Sequence, residues 1–433
     1  MNQVTPTRLR SHNRRGHFLM MFSFLFLLNL ANAQEVYDLS RCIKTGLERN
    51  FALQVVRNHE EVAGNNFTRG NAGMLPLITS TNRIGGTLYS TSGSSAVNLG
   101  MTIFRGFQVQ NTYQKLGQQS ELSGLNTQMS VENYVARLVS EYNYYIQQLI
   151  LYNNLAYSVS LSRERVRIDE QRYLLGSGSK MQLLQSMVYL NADSSRYARQ
   201  NEVLYSSQIR LNELMASEDL GEQIILKDSL ININEQLSYD VLLNQTLNLN
   251  TSLQIAAKNQ VVTELDYKII ESRAYPYLTF TTGYGYNFNN IESGSVDNQY
   301  LRGLNYGLTL GFDIFDGFNR RRERSNALIA IQNRKMEFKE VEQEVKADLL
   351  TIYYAYENNL RLLRLEEQNL EVARENLEIA LERYKLGSLA GLELREVQKS
   401  LLDAEERLIS VKFQTKLAEV SLFQISGRIM DYL

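Results

Sequence analysis

Two carboxylates, Glu393 and Glu396, follow a Leu-Gly-Ser turn at residues 386–388. Residues three positions apart on a helix share one face, so this spacing predicts a compact acidic pair. If several copies of the chain brought such pairs around one narrow opening, the resulting ring of carboxylates would favour cations. The competing interpretation is a solvated helix face, which needs no special function.

The sequence offers little for catalysis. Its three histidines are His12 and His17, in a predicted leader, and His59, in "RNHEEVAGN" on a predicted helix surface. A single histidine excludes histidine clusters for metal and leaves a Ser-His-Asp site dependent on one residue. No G-x-x-x-x-G-K-[ST] phosphate loop occurs, so nucleotide hydrolysis is not expected. We therefore expect no enzymatic activity, no cofactor and no metal site.

The first 33 residues have the layout of a secretory signal peptide, with arginines, an apolar run over 18–30 and small residues before Gln34. The run is shorter than the ~20 residues of a spanning helix, which makes a membrane anchor the less favoured alternative. Cleavage removes four of the 45 basic residues and none of the 47 acidic ones, leaving a net charge of −6. This charge argues against nucleic acid as a partner. The single cysteine, Cys42, cannot form an internal disulfide.

The remaining chain is a duplication. Pro76 and Pro276 are 200 positions apart, and IFRGF at 103–107 recurs as IFDGF at 314–318, at an offset of 211. Repetition of this length predicts two copies of one structural unit. The predicted segments are repeat 1 (34–219), a connector with a short strand (220–237) and repeat 2 (238–433). The paired junction residues are Pro76, Pro276, Phe104, Gly106, Phe315 and Gly317.

Each repeat contains a long helical pattern. From Val341 the apolar residues recur every three or four positions and then, up to Tyr384, every seven, which is typical of coiled-coil packing. Neither proline nor glycine lies between Phe318 and Tyr384, so one helix of roughly 100 Å is predicted there. Residues 106–173 are its predicted counterpart. Shorter helical stretches are expected near 36–75, 180–217, 238–275 and 391–426.

Each repeat also contains a predicted β-hairpin, at about 76–104 and 276–315. PYLTFTTGYGYNF, YGLTLGFDIF and VNLGMTI alternate apolar or aromatic residues with small or polar ones, whereas PLITSTNRIGG alternates poorly. Period-two alternation indicates one apolar and one wet face. Segments rich in Ser, Gly and Asn predict turns at 89–95 and 289–300.

A soluble sheet is the ordinary interpretation of such hairpins. An aromatic-rich face opposite small polar residues is, however, typical of outer-membrane barrels. Four strands cannot close, and open edges in lipid leave backbone groups without hydrogen bonds. A closed barrel needs about eight strands or more, so the chain is predicted to share its barrel with other copies. Three copies would supply twelve strands.

The signal peptide, the duplicated helix–β-hairpin–helix units and the turns RYLLGSGSKMQLLQ and RYKLGSLAGLELRE resemble the outer membrane factor (TolC-like) family of bacterial efflux and type I secretion ducts. The resemblance covers essentially the whole mature chain. It implies a mainly α fold with a small transmembrane β part: a homotrimer whose 12-stranded β-barrel in the outer membrane continues into a long α-helical, coiled-coil barrel. The helical barrel lies in the periplasm, with the connector in its equatorial region. The implied partners are outer membrane lipid, a periplasmic adaptor (membrane fusion) protein and an inner-membrane pump of RND or ABC type.

In this family the two turns form the periplasmic tip and receive the adaptor's hairpin ends, usually through an apolar-Gly-apolar stretch. The third position is serine in both repeats, so the docking contact is expected to be more polar. The docking residues implied are Leu175, Gly176, Ser177, Leu386, Gly387 and Ser388. Tyr173 and Tyr384 match aromatic positions that narrow the tunnel entrance, with core packing as a competing role. A plain helix–helix turn is the alternative for the whole segment.

The resemblance also places Glu393 and Glu396 at the tunnel entrance. Gln182 and Gln185 stand at the equivalent positions of the first repeat, so any ring of charge comes from one repeat only. The expected function is a passive exit duct. An exported periplasmic coiled-coil spacer is the alternative, and it explains the helices but not the amphipathic hairpins. A general diffusion porin explains the strands but not the helices.

Overall fold

The first repeat consists mainly of helices around one β-hairpin. The computed structural model describes residues 36–88, 90–291 and 299–433, so the predicted signal peptide lies outside the described residues. The elements of the first repeat and the connector are β1 (Val36–Tyr37), α1 (Leu39–Arg49), α2 (Phe51–Asn66), β2 (Leu77–Thr87), β3 (Ser90–Arg105), α3 (Gln108–Leu174), α4 (Lys180–Leu214) and β4 (Ile225–Leu226).

The second repeat has the same order of parts. Its elements are α5 (Tyr239–Leu249), α6 (Thr251–Ser272), β5 (Tyr277–Ile291), β6 (Gln299–Gly311), α7 (Asn319–Lys385), α8 (Gly391–Ile425) and a final 3-10 turn (Ile429–Tyr432). The long helices α3 and α7 both have 67 residues, and α4 and α8 both have 35. The predicted duplicated, mainly helical fold is confirmed. Within the described residues, no helix combines the length and the apolarity that crossing a membrane requires.

The long helix α7 packs against α8 along the predicted seven-residue spacing. Leu370, Leu377 and Tyr384 are buried and lie in one apolar cluster with Leu394 and Leu401 of α8. Seven-residue spacing returns each side chain to the same face of the helix, so a continuous apolar seam forms between antiparallel neighbours. At about 1.5 Å per residue, α3 and α7 are each about 100 Å long.

The stretches near 36–75 and 238–275 are each divided into two helices, which the helical pattern did not predict. The breaks fall at Asn50 and Asn250, whose ψ angles of 122° and 121° are extended rather than helical. The second helix ends ten residues before Pro76 in the first repeat and four residues before Pro276 in the second. Each stretch is therefore two successive helices rather than one.

Asn50 and Asn250 make equivalent contacts at these breaks. The Oδ1 atom of each accepts a hydrogen bond from a backbone N–H in the first turn of the next helix, Leu53 at 3.2 Å and Leu253 at 3.1 Å. The Nδ2 atom of Asn50 donates to the carbonyl of Leu214 at 3.2 Å. That of Asn250 donates to the carbonyl of Ile425 at 2.9 Å. Each asparagine therefore caps one helix and binds the last residue of another.

The two hairpins form one four-stranded antiparallel sheet in the order β2-β3-β5-β6. The weakly alternating segment forms the full strand β2. The turn predicted at 89–95 is wrong, because residues 90–95 belong to β3 and pair with 82–87. Serine and glycine favour turns, but here they occupy a paired strand. The ends of the turn predicted at 289–300 belong to strands, since β5 reaches Ile291 and β6 begins at Gln299, and residues 292–298 lie outside the described residues.

The sheet has one apolar face and one polar face, with side chains matched across β3, β5 and β6. The apolar rows are Val97–Tyr284–Leu304, Met101–Phe280–Leu308 and Phe104–Leu278–Leu310. The rows on the opposite face are Asn98–Gly283–Asn305, Gly100–Thr281–Gly307 and Thr102–Thr279–Thr309. The pairing of β3 with β5 shifts register between Thr102 and Phe104. Ile103 is therefore unpaired, and Phe104 rather than Ile103 takes the last place on the apolar face. The apolar and polar faces predicted from the period-two pattern are thus found in β3, β5 and β6.

The IF-x-GF junctions turn the chain from strand to helix in the same way in both repeats. Gly106 and Phe107 have φ values of 54° and 68°, and Gly317 and Phe318 have 67° and 64°. A phenylalanine in this left-handed region is uncommon. Its ring meets the preceding phenylalanine edge-on, with centroids 5.5 Å apart in the first repeat and 5.4 Å apart, from Phe315, in the second.

Two short parallel strands, β1 and β4, pair beside the middle of α3. Cys42 of α1 is fully buried in the adjoining apolar core with Val135, Leu138 and Val139 of α3. Burial, aided by the nearby carboxylate of Asp38, raises the pKa of the Cys42 thiol to about 12. The thiol therefore remains protonated and acts as an apolar side chain of the core.

Candidate functional site at the turns between paired helices

The turns at 175–178 and 386–390 lie at the same end of the molecule, and their glycines have similar backbone conformations. Gly176 and Gly387 have φ values of 74° and 80°, which glycine adopts without strain. The N–H of Gly176 donates to the carbonyl of Tyr173 at 3.1 Å, and the N–H of Gly387 to that of Tyr384 at 3.0 Å. These bonds satisfy the last carbonyl groups of α3 and α7.

The serine after each glycine closes its own turn. The hydroxyl of Ser177 donates to the carbonyl of Arg172 at 3.2 Å, and that of Ser388 to the carbonyl of Arg383 at 3.0 Å. The leucine before each glycine, in contrast, points into solvent, with Leu175 83% and Leu386 81% exposed. Each turn therefore presents an apolar side chain outward and holds its serine against the helix end.

The two helices that follow the turns begin differently. In α4, Ser179 and Gln182 form a capping box, with Gln182 N donating to Ser179 Oγ at 3.2 Å and Ser179 N to Gln182 Oε1 at 3.1 Å. No side chain caps the start of α8. Gln182 is thus occupied with its own helix terminus, while its counterpart Glu393 is free of that role.

Glu393 and Glu396 lie together on the outer side of α8. Both side chains are exposed, whereas the neighbouring Leu394 and Leu401 are buried against α7. Among the described residues, neither carboxylate makes a hydrogen bond or an ion pair. They form an open acidic pair that points away from the seam between α7 and α8.

Tyr384 and Tyr173 have different surroundings. Tyr384 is 3% exposed and donates its hydroxyl to Asp169, whereas Tyr173 is 42% exposed. Burial, followed by the hydrogen bond to Asp169, raises the pKa of Tyr384 to about 12. Arg172 covers the Tyr384 ring at 4.7 Å and donates to its backbone carbonyl. Tyr384 therefore packs inside the protomer, where it links α7 to α3.

A second polar contact joins the repeats about two helical turns away along α3. Arg395 of α8 makes two hydrogen bonds with Asp193 of α4, at 2.6 and 2.8 Å, and Ser162 of α3 donates to the same carboxylate at 2.5 Å. Asp193 is 1% exposed. Sequence reasoning missed Asp169, Asp193 and Arg395. The one feature of the sequence that could have indicated them is a charged residue at a helix position where the pattern predicts an apolar one.

A cleft of about 840 Å³ separates the two turns. Its walls are the end of α3, the start of α4, the end of α7, the second turn and the start of α8. Gln182, Gln185 and Tyr384 line it, together with Ser177, Leu386, Gly387 and Ser388. The structure thus brings most of the predicted docking residues around one opening, and Glu393 and Glu396 lie outside its lining.

The second half of the chain, residues 242–428, matches the model of the family described as Outer membrane efflux protein. No curated protein matches the sequence significantly.

Several solved channel structures have the same fold. CusC, whose structures concern transmembrane channel formation, is 15% identical and aligns over 92% of each chain with a TM-score of 0.75. The CmeC outer membrane channel of Campylobacter jejuni is 15% identical over 99% of this chain and 94% of its own, with a TM-score of 0.74. The outer membrane protein VceC of Vibrio cholerae is 14% identical over 90% of this chain and 96% of its own, with a TM-score of 0.70. The resemblance to the outer membrane factor (TolC-like) family is confirmed, and the fold is that of these channels.

Proposed function

We propose that the protein is the outer-membrane exit duct of a tripartite efflux or type I secretion system. Three copies form a 12-stranded β-barrel in the outer membrane, and their helices continue it as a tunnel through the periplasm. The duct is a passive conduit, and it docks onto a periplasmic adaptor and an inner-membrane pump that supplies the energy.

The four-stranded sheet is the observation that carries this proposal. Its outer strands β2 and β6 each have one edge without a partner strand among the described residues. Its apolar face is exposed, with Leu304 71% and Leu308 64% accessible. An apolar face suits lipid, but edge N–H and C=O groups left without hydrogen bonds in lipid cost several kcal/mol each. Pairing β6 of one copy with β2 of the next removes both edges and closes a barrel.

The arrangement of the helices is also consistent with three copies. Next to the sheet the helices lie side by side in the order α2-α3-α6-α7, which repeats the order of the strands. At the far end the contacts run α4-α3-α8-α7. At each level along its length, one copy thus contributes four neighbouring strands or four neighbouring helices. Three copies therefore give twelve strands around the barrel and twelve helices around the tunnel. Twelve strands exceed the ~8 at which a barrel interior is filled, which leaves a channel.

The comparisons support the assignment to the outer membrane. The matched family model is described as an outer membrane efflux protein, and CmeC and VceC are an outer membrane channel and an outer membrane protein. The polar rows of the sheet, rich in Thr, Asn and Gly, then face the water-filled interior.

In this arrangement the turns at 175–178 and 386–390 are the periplasmic tips that receive the adaptor. Leu175 and Leu386 offer apolar contacts there. Glu393 and Glu396 line the tunnel entrance, where three copies place six carboxylates, and Tyr173 lies next to the entrance. Tyr384 acts from inside the protomer by fixing the position of the second turn.

The duct is tested by reconstituting the mature, purified protein into planar bilayers. We expect discrete conductance steps that grow in number with the amount of protein added, because each trimer adds one water-filled pore. The variant Phe280→Arg, which places charge on the apolar face, is expected to insert poorly, and Thr281→Arg on the polar face is expected to insert normally. Absence of conductance from correctly folded wild-type protein would contradict the duct.

A further inference from the structure

A basic cavity lies where the helices meet the sheet, at the opposite end of α3 and α7 from the two turns. Its volume is about 570 Å³, and its walls are the start of α3, the end of α6 and the start of α7. Its lining contains one acid, Glu271, and four basic side chains, which are Lys268, Arg320, Arg321 and Arg324. The cavity therefore has an excess of positive charge.

Two of the basic side chains have an acidic partner in the same chain. Arg324 pairs with Glu271 at 3.0 Å. Arg320 lies 3.5 Å from the carboxylate of Asp316, and its Nη1 atom donates to the backbone carbonyl of Arg273 at 3.0 Å. These contacts hold both guanidinium groups at the cavity wall and use the charge of Glu271.

The other two basic side chains, Lys268 and Arg321, have no such partner. Both are exposed, and the described part of the chain offers neither of them a hydrogen bond or an ion pair. Lys268 lies on the wall formed by α6 and Arg321 on the wall formed by α7. The cavity thus keeps two accessible positive charges for a partner from outside the chain.

The strand-to-helix junction does not require this basic run. The first repeat makes the same junction with similar φ values, yet it has no basic residue between Phe107 and Lys115. Positive charge in the first turn of a helix also opposes the helix dipole, which favours acids there. The run of arginines at 320–322 therefore works against the stability of α7 without serving the turn, which indicates an anionic partner.

The cavity is continuous with the apolar face of the sheet. Phe107 and Tyr275 line it and are 56% and 54% exposed. The ring of Phe107 meets that of Tyr275 edge-on at 6.5 Å and that of Phe104, on the apolar face, at 5.5 Å. Aromatic side chains are enriched where hydrocarbon gives way to headgroups. In the proposed duct the apolar face meets lipid, so the cavity lies at the level of the headgroups.

A lipid fits this combination better than a free anion does. A free anion would contact only the basic walls, whereas a lipid can place its headgroup beside Lys268 and Arg321 and its acyl chains along Phe107 and the apolar face. All the walls belong to one protomer, so each copy carries a complete site.

We propose that this cavity binds the phosphate of an anionic phospholipid in the leaflet that faces the periplasm. The inference rests on the proposed duct function and deepens it by naming the class of lipid and the residues that receive it. Lys268 and Arg321 attract the phosphate, and Arg320 and Arg324 shape the walls around it.

Binding is measured by native mass spectrometry of the purified, mature trimer after titration in detergent. The probes are phosphatidylglycerol and phosphatidylcholine with identical acyl chains. Both contain a phosphate, but phosphatidylcholine also carries a cation and has no net charge. We expect one tightly bound phosphatidylglycerol per chain and a preference for this lipid of about 30-fold, from a factor of about five for each of the two free basic groups.

The double variant Lys268→Gln and Arg321→Gln is expected to lose most of this preference. Both side chains are exposed and make no contact that the protomer needs, and the mass spectrum itself reports whether the trimer forms. The matched control is Lys335→Gln with Lys339→Gln, which removes two exposed lysines of α7. They lie about 20 Å or more from Arg321 along the helix, beyond the screening length of salt solutions. The control is expected to keep the preference.

An excess of glycerol phosphate tests the other source of a phosphate group. It carries the phosphate without acyl chains, so it is expected to displace little of the bound phosphatidylglycerol. Efficient displacement at submillimolar concentration would overturn the assignment to lipid and identify a site for a soluble phosphate.

Equal binding of the two lipids by the wild-type trimer, or an unchanged preference in the double variant, would overturn the inference. Conductance of the same preparation is recorded in parallel. A trimer that conducts but does not distinguish the lipids refutes the lipid site and leaves the duct intact. A preparation that neither forms trimers nor conducts refutes the duct itself.

Discussion

Arg395 and Asp193 face each other across the boundary between the two repeats and form a bidentate ion pair, with N–O distances of 2.6 and 2.8 Å. Asp193 is almost completely buried, and the Arg395 side chain is 14% exposed. The carboxylate raises the pKa of Arg395. The charged form of the guanidinium therefore persists, and the pair fastens α4 to α8 beside the turns.

Asp193→Asn is expected to destabilise the ends of the helix pairs, because it leaves the buried Arg395 without its counter-charge. Removing one partner of a buried pair costs about 3–5 kcal/mol. Urea unfolding followed by circular dichroism, and limited proteolysis at the turns, measure the loss. The matched control is Glu164→Gln, which breaks the exposed pair with Arg167 and is expected to leave both measurements nearly unchanged. Equal effects of the two variants would contradict the structural role of Asp193.

Stability is expected to fall in alkaline solution partly through Tyr384. Its pKa is about 12 in the folded protein, against an ordinary value of 10.0. Between these values the unfolded chain binds fewer protons than the folded one, so the stabilisation is complete below about pH 10 and is lost as the pH rises towards 12. The urea midpoint of Tyr384→Phe should therefore decline less than that of the wild type between about pH 9 and pH 11. Parallel declines would show that the hydroxyl of Tyr384 titrates normally.

The two faces of the sheet are expected to respond differently to charge. Leu308→Arg places a guanidinium in an apolar row, which costs about 2–4 kcal/mol near the middle of a bilayer. Thr309→Arg, one residue later, projects from the polar face. The amount of trimer recovered from outer membranes should fall for the first variant and not for the second. The reverse order would mean that the apolar face does not meet lipid.

The carboxylates of Glu393 and Glu396 are expected to set ionic selectivity. The double change Glu393→Gln and Glu396→Gln removes six charges from a trimeric entrance, and the preference for cations should fall by a factor of about two or more. Reversal potentials in salt gradients across planar bilayers measure it. Glu48→Gln, an exposed residue of α1, is the control for loss of charge elsewhere. An unchanged reversal potential in the double variant would place both glutamates outside the pore.

The long elements could be predicted from the sequence because their patterns are strong and uninterrupted. Leu370, Leu377 and Tyr384 recur at sevens with neither proline nor glycine between them, and all three lie in the seam of α7 and α8. The offset that relates IFRGF to IFDGF also relates the starts of α3 and α7. In such regions local pattern and tertiary packing favour the same structure.

Other features depend on contacts between distant residues, which the pattern of one segment does not contain. Asn50 breaks its helix because it also binds the end of α4, at Leu214. The Ser-rich segment 90–95 is a strand because 82–87 pairs with it. The bonds of Asp169 and Asp193 cross between the repeats. The regular spacing of apolar residues did not predict these buried polar contacts.

The detergent-corrected mass of the mature protein, extracted from outer membranes, tests whether three chains share one barrel. A mass of three chains is expected, because only strands shared between copies give the edges of β2 and β6 their hydrogen-bond partners. A monomer that remains in solution without detergent would contradict it. In that case the strands would not close in lipid, and an exported coiled-coil spacer would describe the protein better.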